Sequence, residues 1–465
     1  MDRRFLSAAL VITVAGCASH EAVELRKFPY PYRAALAICS DIDETESIEK
    51  FIEIQRFLNT TIETSFGLGL GLEVGNSFWF YNQQFELHNR RQAGDSVPDV
   101  YFSGVPDLGI SLFSGTSDSL SAHAPILFAL IRAGYIDCLH SYGNFGVGGF
   151  SPALAERAAE LLQRESLRVD VFTNHGGREN EHNLGDALRH LGDNPTSDLY
   201  HAAFTRSLDV KFLWRGHLTH VVGQDGDCSI KNLAKLTYER LQDLFYTAQD
   251  FPHDNKLVHI MQLDDSRKVF DFVRYINPWG RYSVAREPFI PHQLGQAQID
   301  ELIASRGFMI FYTHLGVNPQ PPYLHDSTIA ALRYVAARNE TGELLVTTTS
   351  KLLNYYVHCK YLYWQTRNQS DTLYIMIDSI ANEVEGSFVP TEADLEGLTM
   401  YVPLTTPIQL LVANEPIPFV TNAKDETGRF SISVPWRPLK FPDDTDLKGV
   451  NSALGDSDSV LTSHR

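Results

Sequence analysis

An α/β barrel with its functional groups on one rim is the fold this sequence predicts. Two observations carry that expectation. From about Ala34 to Tyr356, apolar strand-like runs alternate with helical segments, the pattern of a parallel sheet. Three of those runs end on polar groups. Ala34–Asp43 ends on Asp41 and Asp43, Tyr135–Asn144 on His140, Ser141 and Asn144, and Gly307–Gly316 on Thr313 and His314. Strands that each deliver a polar group at their C-terminal end are those of a barrel with its site on that rim.

The elements follow in order. Glu46–Thr61 has helical periodicity after the first strand. Ala122–Ala133 is a helix leading into the His140 strand. Pro152–Glu165 is an amphipathic helix with Ser151 as N-cap and Pro152 in its first turn. Leu167–His175 and Val210–Trp214 are strands, followed by a loop-rich stretch and a strand at Lys256–Leu263. Gln296–Ser305 is a helix feeding the His314 strand. Helix Asp326–Asn339, strand Glu343–Thr347 and helix Ser350–Tyr356 close the barrel part. Beyond about Lys360 the pattern changes to short strands at Leu373–Ile377, Thr399–Val402, Ile408–Val412 and Phe430–Val434, which reads as a small β-sandwich. The expected division is a signal segment at 1–16, a tether at 17–33, the barrel at 34–358, the β-rich part at 359–441, and a disordered Asp/Ser-rich tail at 442–465.

Composition narrows the function. The 465 residues are 43% hydrophobic and 21% charged, which describes an ordinary globular protein. A formal net charge of -18 argues against a nucleic-acid partner, which needs a basic surface. At the N-terminus, Arg3-Arg4 precede the apolar run Phe5–Gly16. That run is too short to span a bilayer but fits a secretory signal. Val14-Ala15-Gly16-Cys17 resembles a bacterial lipobox, which implies cleavage before Cys17 and lipidation of its thiol. Ala18 after the cysteine implies sorting to the outer membrane in a Gram-negative host. The expected location is therefore the cell envelope, at the periplasmic face of the outer membrane, with a lipid anchor as the only membrane contact. The remaining cysteines, Cys39, Cys138, Cys228 and Cys359, form no C-x-x-C and no disulfide framework. Cys39 and Cys138 read as small buried residues, with a bridge between them as the lesser alternative.

The polar strand ends carry the chemistry. Residues i and i+2 of a strand face the same way, so Asp41 and Asp43 can meet one metal or one substrate. No Gly-x-Ser-x-Gly elbow and no complete phosphate-binding glycine motif is present. Together the strand ends resemble the polysaccharide deacetylase family, the NodB-homology carbohydrate esterases, over roughly residues 34–356. The resemblance implies a distorted (β/α)7 barrel and a bound divalent metal, zinc or else cobalt, nickel or iron. It makes Asp41 the catalytic base, Asp43 a metal ligand and His314 the general acid. In the family's His-Ser/Thr-x-x-His motif, this chain has His140-Ser141-Tyr142-Gly143-Asn144, so His140 and Asn144 stand as ligands and Ser141 matches the motif hydroxyl. Asn144 departs from the family's second histidine and reads equally as a turn residue. The family's third motif carries an arginine. In its place this chain has Phe172–Gly177, where His175, with Asn174, stands as a replacement ligand or a substrate-shaping loop residue; Arg178 lies nearby.

The resemblance implies removal of N- or O-acetyl groups from an envelope polysaccharide. Two alternatives remain: a non-catalytic glycan-binding or assembly lipoprotein on the same barrel, and a glycoside hydrolase. The last needs two carboxylates separated across a cleft, and Asp41 and Asp43 are too close in sequence for both parts. Among the aromatics, Trp279 and Tyr282 in the Asn277–Arg286 loop are the better candidates for a sugar platform.

Overall fold

The computed structural model describes residues 23–83, 109–185, 189–227, 229–246, 252, 254–278, 285–403, 406–443 and 447. Cys17, Cys228, Trp279, Tyr282, the signal segment and nearly all of the tail lie outside them.

An eleven-stranded sheet forms the centre. In pairing order it runs Val258–Gln262, Lys268–Phe272, Phe212–Trp214, Val171–Thr173, Cys138–His140, Gly75–Phe78, Ala34–Asp41, Phe308–Thr313, Arg274–Tyr275 and Leu218–Thr219, with Leu344–Thr347 also paired to Ala34–Asp41. Every pairing in it is parallel except the hairpin of Val258–Gln262 with Lys268–Phe272. The sheet curls back on itself. Only Val273 separates Lys268–Phe272, near one end of the pairing order, from Arg274–Tyr275, near the other.

Alternation along Ala34–Asp41 shows how the curl is filled. Leu36 and Ile38 face outward onto helices Ile48–Asn59, Gln296–Ser305 and Asp326–Glu340. Ala35, Ala37 and Cys39 face inward with Cys138, Val171, Phe212, Phe270, Phe272, Phe308 and Ile310. Small residues on the first strand leave room for the phenylalanines opposite, as a closed interior requires. Cys39 and Cys138 are buried there as free thiols. Asp41 continues the inward series at the C-terminal end of the strand.

The helices form where their periodicity places them. Ile48–Asn59 starts at Ser47, whose hydroxyl accepts from the Lys50 amide at 3.3 Å, and it buries Phe51, Ile54, Phe57 and Leu58. Gln296–Ser305 has the predicted bounds and ends on Arg306 in the left-handed region, φ 53°. Ser151 precedes Pro152–Arg164 in extended backbone, but its side chain makes no capping hydrogen bond. The loop-rich stretch expected after Trp214 instead holds a 17-residue helix, Ile230–Tyr246.

Beyond helix Thr349–Lys360 the chain forms two small sheets. One joins Leu362–Gln369, Thr372–Asn382, Gly386–Phe388, Ile408–Val412 and Glu415–Pro416; the other joins Glu24–Leu25, Thr399–Tyr401, Val420–Asn422 and Ser431–Ser433. Leu373, Ile375, Ile377, Leu410, Met400 and Ile432 from both share one core. Residues 23–33 therefore depart from the expected tether. Glu24–Leu25 pairs with Met400–Tyr401, and the buried Arg26 guanidinium donates to the carbonyls of Phe28, Pro29 and Tyr32 at 2.8, 3.0 and 2.6 Å. Five donors in a fixed fork suit gathering a turn in this way.

Candidate metal centre

The predicted rim exists. In the sheet register Thr313 lies beside Ser40, Asp41 beside Ser77, and His140 beside Thr173, so strand ends from different parts of the chain come level. Asp43, His140 and His175 form a group that could hold a metal ion. Asp43 Oδ2 lies 3.7 Å from His140 Nε2 and 3.6 Å from His175 Nδ1, and those two nitrogens are 2.8 Å apart. A carboxylate and two imidazoles match the donor set of catalytic divalent-metal sites with an open position.

The protonation states fit ligation. Burial pushes the His140 imidazole below its usual pKa, against the pull of Asp41 and Asp43. Burial and the His140 ring bring His175 down to about 4. Burial would raise Asp43, but His314, then His140 and His175, hold its carboxyl well below the usual range. Two neutral rings and one carboxylate are the forms that bind metal. Thr173 fixes which nitrogen of His140 is free. Its hydroxyl donates to the Leu139 carbonyl at 3.3 Å and accepts from His140 Nδ1–H at 2.8 Å, leaving the Nε2 lone pair toward Asp43 and His175. The Trp79 ring stacks on His140 and meets His175 edge-on, with centroids 6.4 and 4.9 Å away. Trp79 is a buried wall of the site.

Asp41 and His314 lie together beside this group. Ser77 Oγ donates to Asp41 Oδ1 at 2.5 Å, while Asp41 Oδ2 is a buried atom without a hydrogen bond, 4.0 Å from His314 Nε2. His314 donates Nδ1–H to the Ala285 carbonyl, which turns Nε2 to Asp43 Oδ1 at 3.2 Å. Burial disfavours its charge, but Asp43, and then Asp41, raise it to about 10. The two carboxylates thus favour the charged ring, the form a proton donor needs.

Asn144 has partners of its own in the loop. The helical turn that would place it beside His140 does not form: Ser141 has φ 54° and Gly143 has φ 144°. A Cβ at Gly143 would stand 2.3 Å from the Tyr81 carbonyl oxygen, so the loop depends on glycine. Asn144 Oδ1 accepts instead from the Gly146 amide at 3.1 Å and Asn180 Nδ2 at 3.3 Å. His175 takes the third position. Ser141 and Asn174 support from behind. Ser141 Oγ bonds His182 Nε2 at 2.8 Å, and the Asn174 amide exchanges hydrogen bonds with Leu184 at 2.8 and 3.1 Å. Arg178 is exposed.

Sequence reasoning missed Thr173 and Arg274. Arg274 is fully buried, its guanidinium 4.5 Å from the Trp214 ring and 4.8 Å from the Tyr312 ring. Its Nη1 is 3.9 Å from Asp41 Oδ2. The signal for it was an arginine inside the apolar alternation Phe270–Tyr275, a strand not read from the sequence. At the rim Arg286 grips Glu44 with two bonds, 3.0 and 2.6 Å. A separate cleft of about 1020 Å³, lined by Asp170, Lys211, Arg267 and Glu385 among others, includes residues that precede the strands, away from these ends.

No family model and no curated protein matches this chain.

Proposed function

We propose that this chain is a metal-dependent hydrolase that removes N- or O-acetyl groups from a polysaccharide of the bacterial cell envelope. The supporting observation is the buried Asp43–His140–His175 group with Asp41 and His314 beside it. On this reading the sheet is a seven-stranded (β/α) barrel, counting Phe212–Thr219 and Lys268–Tyr275 as one strand each and leaving out the antiparallel Val258–Gln262 and the extra strand Leu344–Thr347. The two C-terminal sheets form a small sandwich, and Cys17 carries the lipid anchor.

Asp43, His140 and His175 would hold the ion; the mixed nitrogen and oxygen donors suit zinc, cobalt, nickel or iron. When bound, such an ion polarises an acyl carbonyl and lowers the pKa of water. Asp41 acts as base: its Oδ2 has no hydrogen bond to lose before taking a proton. Ser77 holds its other oxygen, and the Arg274 guanidinium lies 3.9 Å from Oδ2. His314 enters protonated and gives its Nε2 proton to the leaving amine or alkoxide. General acid and base groups of this kind contribute roughly 10²–10⁴-fold each.

The test measures metal content together with acetate release from acetylated glycans. One divalent ion per chain, lost with activity in both Asp43→Ala and His140→Ala, is the expected result. A chain that takes up no zinc, cobalt or nickel, yet binds glycan through an Asp41→Ala change, would instead be a glycan-binding protein on the same fold.

A further inference from the structure

Helix Ile230–Tyr246 is turned inside out. At about 100° per residue, Asn232, Lys235 and Glu239 share one side and Ile230, Leu233, Ala234, Thr237 and Leu241 the other. The polar side is the buried one. Lys235 is 0% exposed and lies 3.6 Å from Glu301, and Glu239 Oε1 accepts from Thr219 Oγ1 at 2.8 Å and the His220 amide at 2.5 Å. The apolar side faces out: Ile230 is 90%, Leu233 59% and Leu241 50% exposed. Scattered exposed leucines need no explanation, but a whole apolar helix face opposite a buried polar one does.

The chain's own start says what lies against it. Lys27 Nζ bonds the carbonyl of Asp225, five residues before Ile230, and that of Arg306 at 2.5 Å. The described chain starts at Val23, four residues before Lys27 and so at most about 14 Å from this contact. Six residue steps lead from Val23 back to Cys17, a reach of at most about 22 Å. A lipid on Cys17 would hold this side toward the bilayer. No helix among the described residues is long and apolar enough to cross a membrane. A helix with one apolar face and charges on the other lies along an interface instead.

We propose that the face of Ile230, Leu233 and Leu241 rests in the surface of the lipid bilayer and fixes the orientation of the rim relative to it. The inference rests on the anchored reading of Cys17, and the test separates the two. A photo-crosslinking benzophenone amino acid replaces Leu233 or Leu241 in the full chain, made in cells whose phospholipids carry an alkyne tag. Leu120 and Val420, exposed elsewhere, serve as control positions. Lipidation is read independently from the mass of the N-terminal peptide. Tagged-lipid adducts at 233 and 241, at least tenfold above those at 120 and 420, are expected. Equal adducts at all four positions would overturn the proposal even with Cys17 lipidated, because the anchor alone would then account for proximity. Adducts to a second copy of the chain, or none, would overturn it as well.

Discussion

Replacing Thr173 by valine tests the metal centre at a residue that would not itself touch the ion. Valine keeps the shape of threonine and exchanges the hydroxyl for a methyl. In the native site that hydroxyl accepts from His140 Nδ1–H at 2.8 Å, and its own proton is directed to Leu139 O at 3.3 Å. Without it, Nδ1–H is buried and unpaired. The ring then gains by moving its proton to Nε2, the nitrogen that faces Asp43 at 3.7 Å. A proton there competes directly with a metal ion. Loss of such an outer partner typically costs 10–100-fold in metal affinity, or about 1.4–2.8 kcal/mol. The orphaned donor also costs the fold about 1–3 kcal/mol. Isothermal titration with zinc, cobalt and nickel reads the first quantity and urea unfolding of the metal-free protein the second. Thr173→Ser retains the oxygen and should keep affinity within about threefold of the native protein, well inside the loss expected for an outer partner. A folded Thr173→Val protein with native affinity would refute both the tautomer assignment and the placing of His140 in the metal group.

Asn144→Ala should leave metal affinity within about threefold, since the Asn144 oxygen serves the Gly146 and Asn180 loop and no ligand is lost; a loss as large as that of His140→Ala would restore it to the ligand set. His314→Gln should keep the ion while lowering deacetylation roughly 10²–10⁴-fold, a split visible by pairing metal analysis with acetate release. Stability should fall as pH drops from 6.5 toward 4, partly because of His201. Burial lowers that imidazole to about 4, so below 6.5 the unfolded chain takes up a proton the folded one refuses. Its full contribution is on the order of 3 kcal/mol. The acid limb of a urea-unfolding series should flatten in His201→Gln, and an unchanged limb would remove His201 as its source.

The rim was legible in the sequence because strands carry a two-residue period. Alternation through Ala35, Ala37 and Cys39 extends to Asp41, and the structure puts all four on the inner face. Helix Gln296–Ser305 was legible for a related reason: Ile299, Leu302 and Ile303 recur at helical spacing and are buried. What failed did so for local reasons. The His140–Asn144 spacing suggests a helical turn, yet Gly143 in its middle opens the backbone instead. Helix Ile230–Tyr246 escaped notice because its buried face is polar, so reading inward from apolar residues points the wrong way. Arg274 and Thr173 act through other residues, and such partners become visible only when distant strands are level.

The way Glu24–Leu25 is held sets a condition on biogenesis. Glu24–Leu25 has its described sheet partners in Met400 and Tyr401, and the buried Arg26 pairs with Asp425 at 3.1 Å, 399 residues away. During synthesis Glu24–Arg26 stays without those partners until residues 400 to 425 have emerged. Contacts of such long sequence separation are entropically late and slow. This sheet therefore acts as a clasp that shuts only once Asp425 is in place. A chain cut short before Asp425 would leave a buried-type arginine and an unzipped strand edge exposed, a mark by which a quality-control protease could tell it from one that carries Asp425.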